Sequence, residues 1–197
     1  MQQTTQSSGR SGSSILVAYA TAHGSTEGIA TAIAGRLRSA GHNVDLRAVD
    51  TVEYLDHYDA VVLGSAIHNA AWLAPATAFA ARHADELKRC PLWLFSVSSL
   101  GETSSFFGPA ASRIMRRARD SRESKELAGY RRDLLSRGHR NFAGAVARGH
   151  WSRVGDLFLR VFGGTFGDHR DWSDIHAWAD GIAREVSLAP RVSLAAE

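Results

Sequence analysis

The chain has 197 residues, 44% of them hydrophobic, and a formal net charge of +3. This suits one globular domain with an adequate core. It has no apolar run of about 18 residues, so no membrane-spanning helix is expected, and its one cysteine, Cys90, excludes an internal disulfide and suits a reducing cytoplasm. Charge is unevenly placed: residues 110–160 carry 13 Lys/Arg against 5 Asp/Glu. Such a block is a solvated face or a surface for an anionic partner. Its arginines are not interleaved with aromatics that would stack bases, so nucleic acid is not expected.

Residues 1–14 are mostly Gln, Ser, Thr and Gly, lack the apolar centre of a signal peptide and read as a disordered tail. Residues 15–20 form a short apolar run, suited to a buried parallel strand. Residues 21–26 are small and hydroxylic, and a helical pattern follows at Ile29, Ala30, Ile33, Ala34 and Leu37. A strand, a tight loop and a helix N-terminus together leave backbone amides free for an anion. The hydroxyls of Thr21, Ser25 and Thr26 stand beside those amides and complete a phosphate cradle without a required cation. The same composition also suits any strand-to-helix turn. Gly24 and Gly28 do not make a dinucleotide fingerprint, and no Gly-Lys-Ser/Thr follows to make a triphosphate loop.

Further strands are expected at 43–49, 59–64, 91–97 and, more weakly, 141–146. A polar helical turn fills 50–57. Pro75 opens a helix to about Lys88. Two loops lie at strand ends, one at 65–72 and one at 96–101. Between the fourth and fifth strands, 112–119 and 123–137 read as helices of an insert, and 151–162 reads as a helix with one broad apolar face. A final helix opens at Asp171 as N-cap, with Asp174 as a capping-box partner. It buries Ile175, Trp178, Ala179 and Ile182, and 187–197 is a second tail. Alternating strands and helices imply a doubly wound parallel α/β sheet with right-handed crossovers, five strands in the order 2-1-3-4-5, as one domain over 15–186.

Residues Thr21-Ala22-His23-Gly24-Ser25-Thr26 resemble the flavodoxin pattern Thr/Ser-x-Thr-Gly-x-Thr, with His23 in place of the middle Thr. That resemblance implies a flavodoxin-like fold and FMN as cofactor, its monophosphate on this loop. The second half resembles the menaquinone-dependent, flavodoxin-like protoporphyrinogen oxidases. The matching residues are Phe142-Ala-Gly-Ala-Val146, Gly163-Gly164, Asp171-Trp172 and the second loop, Gly64-Ser-Ala-Ile67-His68. Two stretches depart from that family: 146–151 has no tyrosine, and 101–108 is not basic. The resemblance implies an FMN-dependent oxidoreductase that passes electrons from a reduced substrate, a porphyrinogen among the candidates, to a quinone. It would be cytoplasmic with peripheral contact at the membrane. An electron carrier with protein partners is the alternative, and a binding module that has lost FMN is a third.

The cofactor residues expected are Thr21, Ala22, His23, Gly24, Ser25 and Thr26 for phosphate. Ser65, Ala66, Ile67, His68, Trp72, Ser98 and Ser99 are expected at the ring. Trp72 would stack on the flavin or pack under the following helix. His68 would contact the ring or a substrate carboxylate, or stand in solvent. No side chain need act as nucleophile, because the flavin carries the chemistry. Trp93, Trp172 and Trp178 read as core. His139, His150 and His169 match no metal spacing. Cys90 reads as a small residue at a strand entrance.

Overall fold

The computed structural model describes residues 12–120, 125–147 and 164–188. The expected helix at 151–162 and most of both expected tails lie outside them. Three residues of the first expected tail fall within the described residues: the Ser13 carbonyl accepts the Asn43 amide, and Ser14 opens β1 (Ser14–Ala20).

Helix α1 (Ser25–Ser39) follows, then β2 (Asn43–Ala48), a single 3-10 turn (Val49–Thr51) and β3 (Ala60–His68). β3 runs four residues past its expected end at Gly64 and folds back as β4 (Ala71–Trp72), pairing antiparallel through Ile67 with Trp72. The turn residues Asn69 and Ala70 have φ of 51° and 63°. A two-residue hairpin turn of type I′ needs positive φ at both positions. Ala70 tolerates it poorly, so the sequence gives no Asn-Gly signal, and the stretch reads as an open loop.

The expected helix from Pro75 is two helices, α2 (Ala74–Arg82) and α3 (Ala84–Arg89), which meet at His83. β5 (Leu92–Ser98), α4 (Pro109–Asp120), α5 (Lys125–Asp133) and β6 (Gly138–Ala143) follow. β6 begins three residues before its expected start. Its expected end is a separate strand, β7 (Ala145–Val146), paired antiparallel with β8 (Gly167–Asp168). The last helix, α6, spans Trp172–Leu188.

The main sheet runs β2-β1-β3-β5-β6, all parallel. This is the expected 2-1-3-4-5 order, with the hairpin strand β4 outside the path. Strand alternation divides the core in two. Ile15 and Val17 face α1 and α6, meeting Ile29, Ile33, Leu37, Ile175 and Ile182. Leu16 and Ala18 face the other layer, meeting Val49, Phe79, Leu87 and Leu134. A third, smaller cluster joins Phe106 and Phe107 to Ala143 and Val146, with Met115 and Phe166 against it.

The N-cap of α6 is as expected: Asp171 Oδ1 accepts the Asp174 amide at 3.1 Å and the Ser173 hydroxyl at 2.6 Å. These bonds hold the Asp171 carboxyl below the usual carboxylate range, the Ser173 bond most. The reciprocal half of a capping box is not shown. Asp174 pairs with Arg140 of β6 instead. Trp172 is 37% exposed, a correction to its core reading, whereas Trp93 is 2% exposed and Trp178 packs against the core. Burial pushes the Cys90 thiol up to about 11, which keeps it protonated and unreactive at neutral pH.

Two predictions follow from this packing. A Cβ on Gly64 would lie 2.0 Å from the Phe95 ring, and that ring is fully buried between Phe142 and Trp178. Gly64→Ala should therefore lower stability by about 1–3 kcal/mol or more in urea unfolding. An unchanged midpoint would show that the ring yields. Separately, burial, and then the 2.7 Å bond to Asp45, push the Tyr58 phenol up to about 12. The neutral phenol thus contributes stability that is complete below pH 10 and is lost as pH rises from about 10 toward 12. Urea midpoints of Tyr58→Phe should fall less over that window than those of the parent chain.

Candidate functional site

Register sets the site. Ala20 of β1 pairs with Ser65 of β3, and Ser65 pairs with Ser96 of β5. The loops after these three strands therefore leave the sheet along one edge, where strand order reverses between β1 and β3. Ligands of open α/β sheets bind there.

The first loop turns into α1 through Gly24, whose φ is 85° and whose missing Cβ faces open space. Ala22, His23 and Gly24 are exposed. The three hydroxyls are not displayed together as expected. Thr21 Oγ1 accepts the Gly24 amide at 2.9 Å and so closes the turn from inside. Ser25 Oγ accepts the Ala145 amide at 2.8 Å and donates to the Ala145 carbonyl at 3.1 Å. Thr26 is fully buried, and its hydroxyl has no hydrogen-bond partner among the described residues. What the loop offers outward is backbone: the first intrahelical bond is Gly28 to Gly24, so the amides of Ser25, Thr26 and Glu27 precede any helix acceptor.

A cavity of about 590 Å³ opens beside these amides, within the 300–1,000 Å³ of small-molecule sites. His23, Gly24 and Ser25 form one wall, and Ala145, Phe166, Gly167 and Arg170 stand opposite. The opposite wall is built by the β7–β8 pair and was not anticipated. Gly144 allows it, because a Cβ there would lie 3.2 Å from Ser25 Oγ and 3.1 Å from Val97. Arg170 holds Asp168 through Nε and Nη2, both at 2.8 Å, and lies 4.4 Å over the Trp172 ring. The hydrogen bonds from Arg170 hold the Asp168 carboxyl below the usual carboxylate range. The Phe142–Val146 stretch is legible as a family resemblance, but nothing local joins it to the first loop, since Ser25 and Ala145 are 120 positions apart.

The second and third loops are tied more tightly than their composition implies. Ser65 is buried, with Oγ donating to the Ala66 carbonyl at 2.9 Å and accepting the Leu73 amide at 3.0 Å. Ala66 and Ile67 are half-buried, and His68 is exposed at the hairpin tip. Trp72 is 6% exposed. It donates its indole N–H to Ser96 at 2.8 Å and stacks 6.1 Å from Tyr130 of α5. Its ring faces are thus covered by protein, and Trp72 is a packing residue here, a correction to its place among the flavin contacts. Ser98 Oγ accepts the Leu100 amide at 3.1 Å, and the Ser99 carbonyl accepts the Phe106 amide. These bonds shape the third loop and leave both serines half-exposed. Ser96 Oγ also meets His139 Nε2 at 2.9 Å, which gives that histidine a structural role.

Among solved structures, a flavodoxin from the domain Archaea superposes with a TM-score of 0.51 at 15% identity, covering 88% of this chain and 99% of its own. A short-chain flavodoxin associated with a PDU bacterial microcompartment gives 0.54 at 11%, covering 88% and 98%. The rubredoxin:oxygen oxidoreductase of Desulfovibrio gigas gives 0.55 at 15%, covering 88% of this chain but 36% of that longer protein. A search of curated protein sequences found no match. A family model described as a flavodoxin domain matches residues 16–148, well over half of the chain. The chain therefore belongs to the flavodoxin domain family, whose cofactor is FMN.

Proposed function

We propose that this protein is an FMN-dependent oxidoreductase of the flavodoxin-like protoporphyrinogen oxidase type. In this reading it takes electrons from a reduced small molecule, a porphyrinogen among the candidates, and passes them to a quinone. The residues fit the phosphate of FMN. A hydroxyl left unpaired in the interior costs about 1–3 kcal/mol, and the Thr26 hydroxyl is in that state within the first turn of α1. A phosphate oxygen would give it an acceptor, beside helix amides that favour negative charge. Bound there, FMN supplies hydride and electron chemistry, and the chain binds and orients it.

The observation that favours an enzyme over a carrier is the insert between β5 and β6. Arg116 of α4 donates to the carbonyls of Gly101 at 3.0 Å and Ser104 at 3.2 Å. The insert is thereby anchored on the third loop, next to the strand ends where a substrate would enter in this reading. Its outer face carries Arg113 and Arg117, and Ile114 at 70% exposure. A quinone acceptor would bring the protein to a membrane surface, and a basic, partly apolar face suits peripheral contact with an anionic leaflet. No helix among the described residues is long and apolar enough to cross a membrane. The residues that match the oxidase family in part lie at the site: Phe142 to Val146 forms the end of β6 and β7, and the Asp171-Trp172 pair opens α6.

Two measurements test this reading. Thr26→Val removes the orphaned hydroxyl but keeps the shape. The apoprotein should unfold at the same or higher urea concentration, and FMN affinity should fall about 10-fold, the worth of one hydrogen bond to a charged group. Loss of apoprotein stability would show that the hydroxyl has a protein partner instead. Anaerobic mixing of the flavin-loaded protein with protoporphyrinogen, a quinol and NAD(P)H in parallel tests the reaction. Rapid bleaching of the flavin band by protoporphyrinogen, and reoxidation by a quinone, is the expected result. Bleaching by none of the three, with fast exchange to a protein partner, would make it a carrier.

A further inference from the structure

The phosphate cradle read from residues 21–26 needs no cation, yet a guanidinium stands beside it. Arg170 lines the same cavity as His23, Gly24 and Ser25. Its Nη1 occupies the space beside Gly28, where a Cβ would come within 2.3 Å. Gly28 is in the first turns of α1, the positive end of the helix dipole. A cation parked there has the wrong sign for its surroundings. Asp168 offsets part of that charge by its two bonds to Nε and Nη2. Nη1, with two N–H donors, has no hydrogen-bond partner among the described residues. Trp172 backs the guanidinium plane at 4.4 Å and limits its swing.

One occupant resolves all of these: a phosphate monoester. An anion between the α1 amides and Nη1 would satisfy the helix dipole and the free donors at once. Arginine matches phosphate oxygens in geometry as well as charge. Asp168, by holding the far edge of the guanidinium, keeps Nη1 aimed rather than neutralised. We propose that Arg170 is a ligand of the FMN phosphate, so that this chain selects FMN over unphosphorylated flavin by a charge-assisted contact added to the loop amides. This rests on the FMN reading and makes a separate demand on it.

The test titrates apoprotein with FMN and with riboflavin, following quenching of flavin fluorescence. Arg170→Met should weaken FMN about 10- to 100-fold and leave riboflavin affinity unchanged. Arg170→Lys should recover part of the loss, and Arg170→Met should flatten the salt dependence of FMN binding. Gly28→Ala is an independent probe: alanine favours a helix interior, so the fold should hold, while its Cβ displaces Nη1 and should reproduce the FMN-selective loss. Equal weakening of both flavins by Arg170→Met would reduce Arg170 to a packing role and overturn the proposal. So would FMN affinity unchanged in both variants. If the parent chain binds FMN but the variants match it, only the Arg170 assignment fails; if the parent chain binds neither flavin, the FMN reading fails with it.

Discussion

Both backbone polar groups of Ala145, its N–H and its carbonyl, meet one hydroxyl, that of Ser25, at 2.8 Å and 3.1 Å. This clamp joins the first turn of α1 to the segment after β6. Without it the amides of α1 would face open solvent on that side. With it, β7 and β8 stand across from the first loop and form the far wall of an open cleft. The clamp also explains the glycine in Phe142-Ala-Gly-Ala. A side chain at 144 would press on Ser25 and Val97, and the close approach needed for the hydrogen bonds would be lost.

The same clamp makes α6 part of the site. His169 donates its amide to Gly144, so the run from Asp168 to Trp172 is drawn over α1 before the last helix begins. α6 then packs beside α1 through Ile175, Ala179 and Ile182, and its N-cap Asp171 fixes where the helix starts. The chain's two ends are thus joined by apolar packing on one face of the sheet, and the ligand edge sits at the N-terminal end of that pair.

On the opposite side, the third loop is built by bonds within itself and by the insert. Ser98, Ser99 and Ser105 form its internal turns, Arg116 fastens α4 to it, and Arg140 pairs with Glu102 at 3.1 Å. The described hydroxyls of the three edge loops, Thr21, Ser65 and Ser98 among them, are taken up in shaping those loops. The groups this edge leaves exposed are the amides at the start of α1, His68 and the cavity wall around Arg170.

The sequence by itself determined the fold class, the order of the sheet and the place of the first loop. Those depend on apolar runs, helical spacing and a Gly/Ser/Thr turn, all of which are local in the chain. It also marked Asp171 as a cap, because capping acts over three residues. Tertiary structure decided which side chains face the ligand edge. Trp72 turned inward because Ser96 and Tyr130, distant in sequence, offered its indole a hydrogen bond and a stacking face. Ser25 was taken by Ala145, and Ser65 by its own hairpin, which forms despite a strained Ala70. Arg170 reached α1 only because Gly28 left room and Asp168 and Trp172 held it there. Such pairings are set by long-range packing, and a periodic pattern in the chain carries no trace of them.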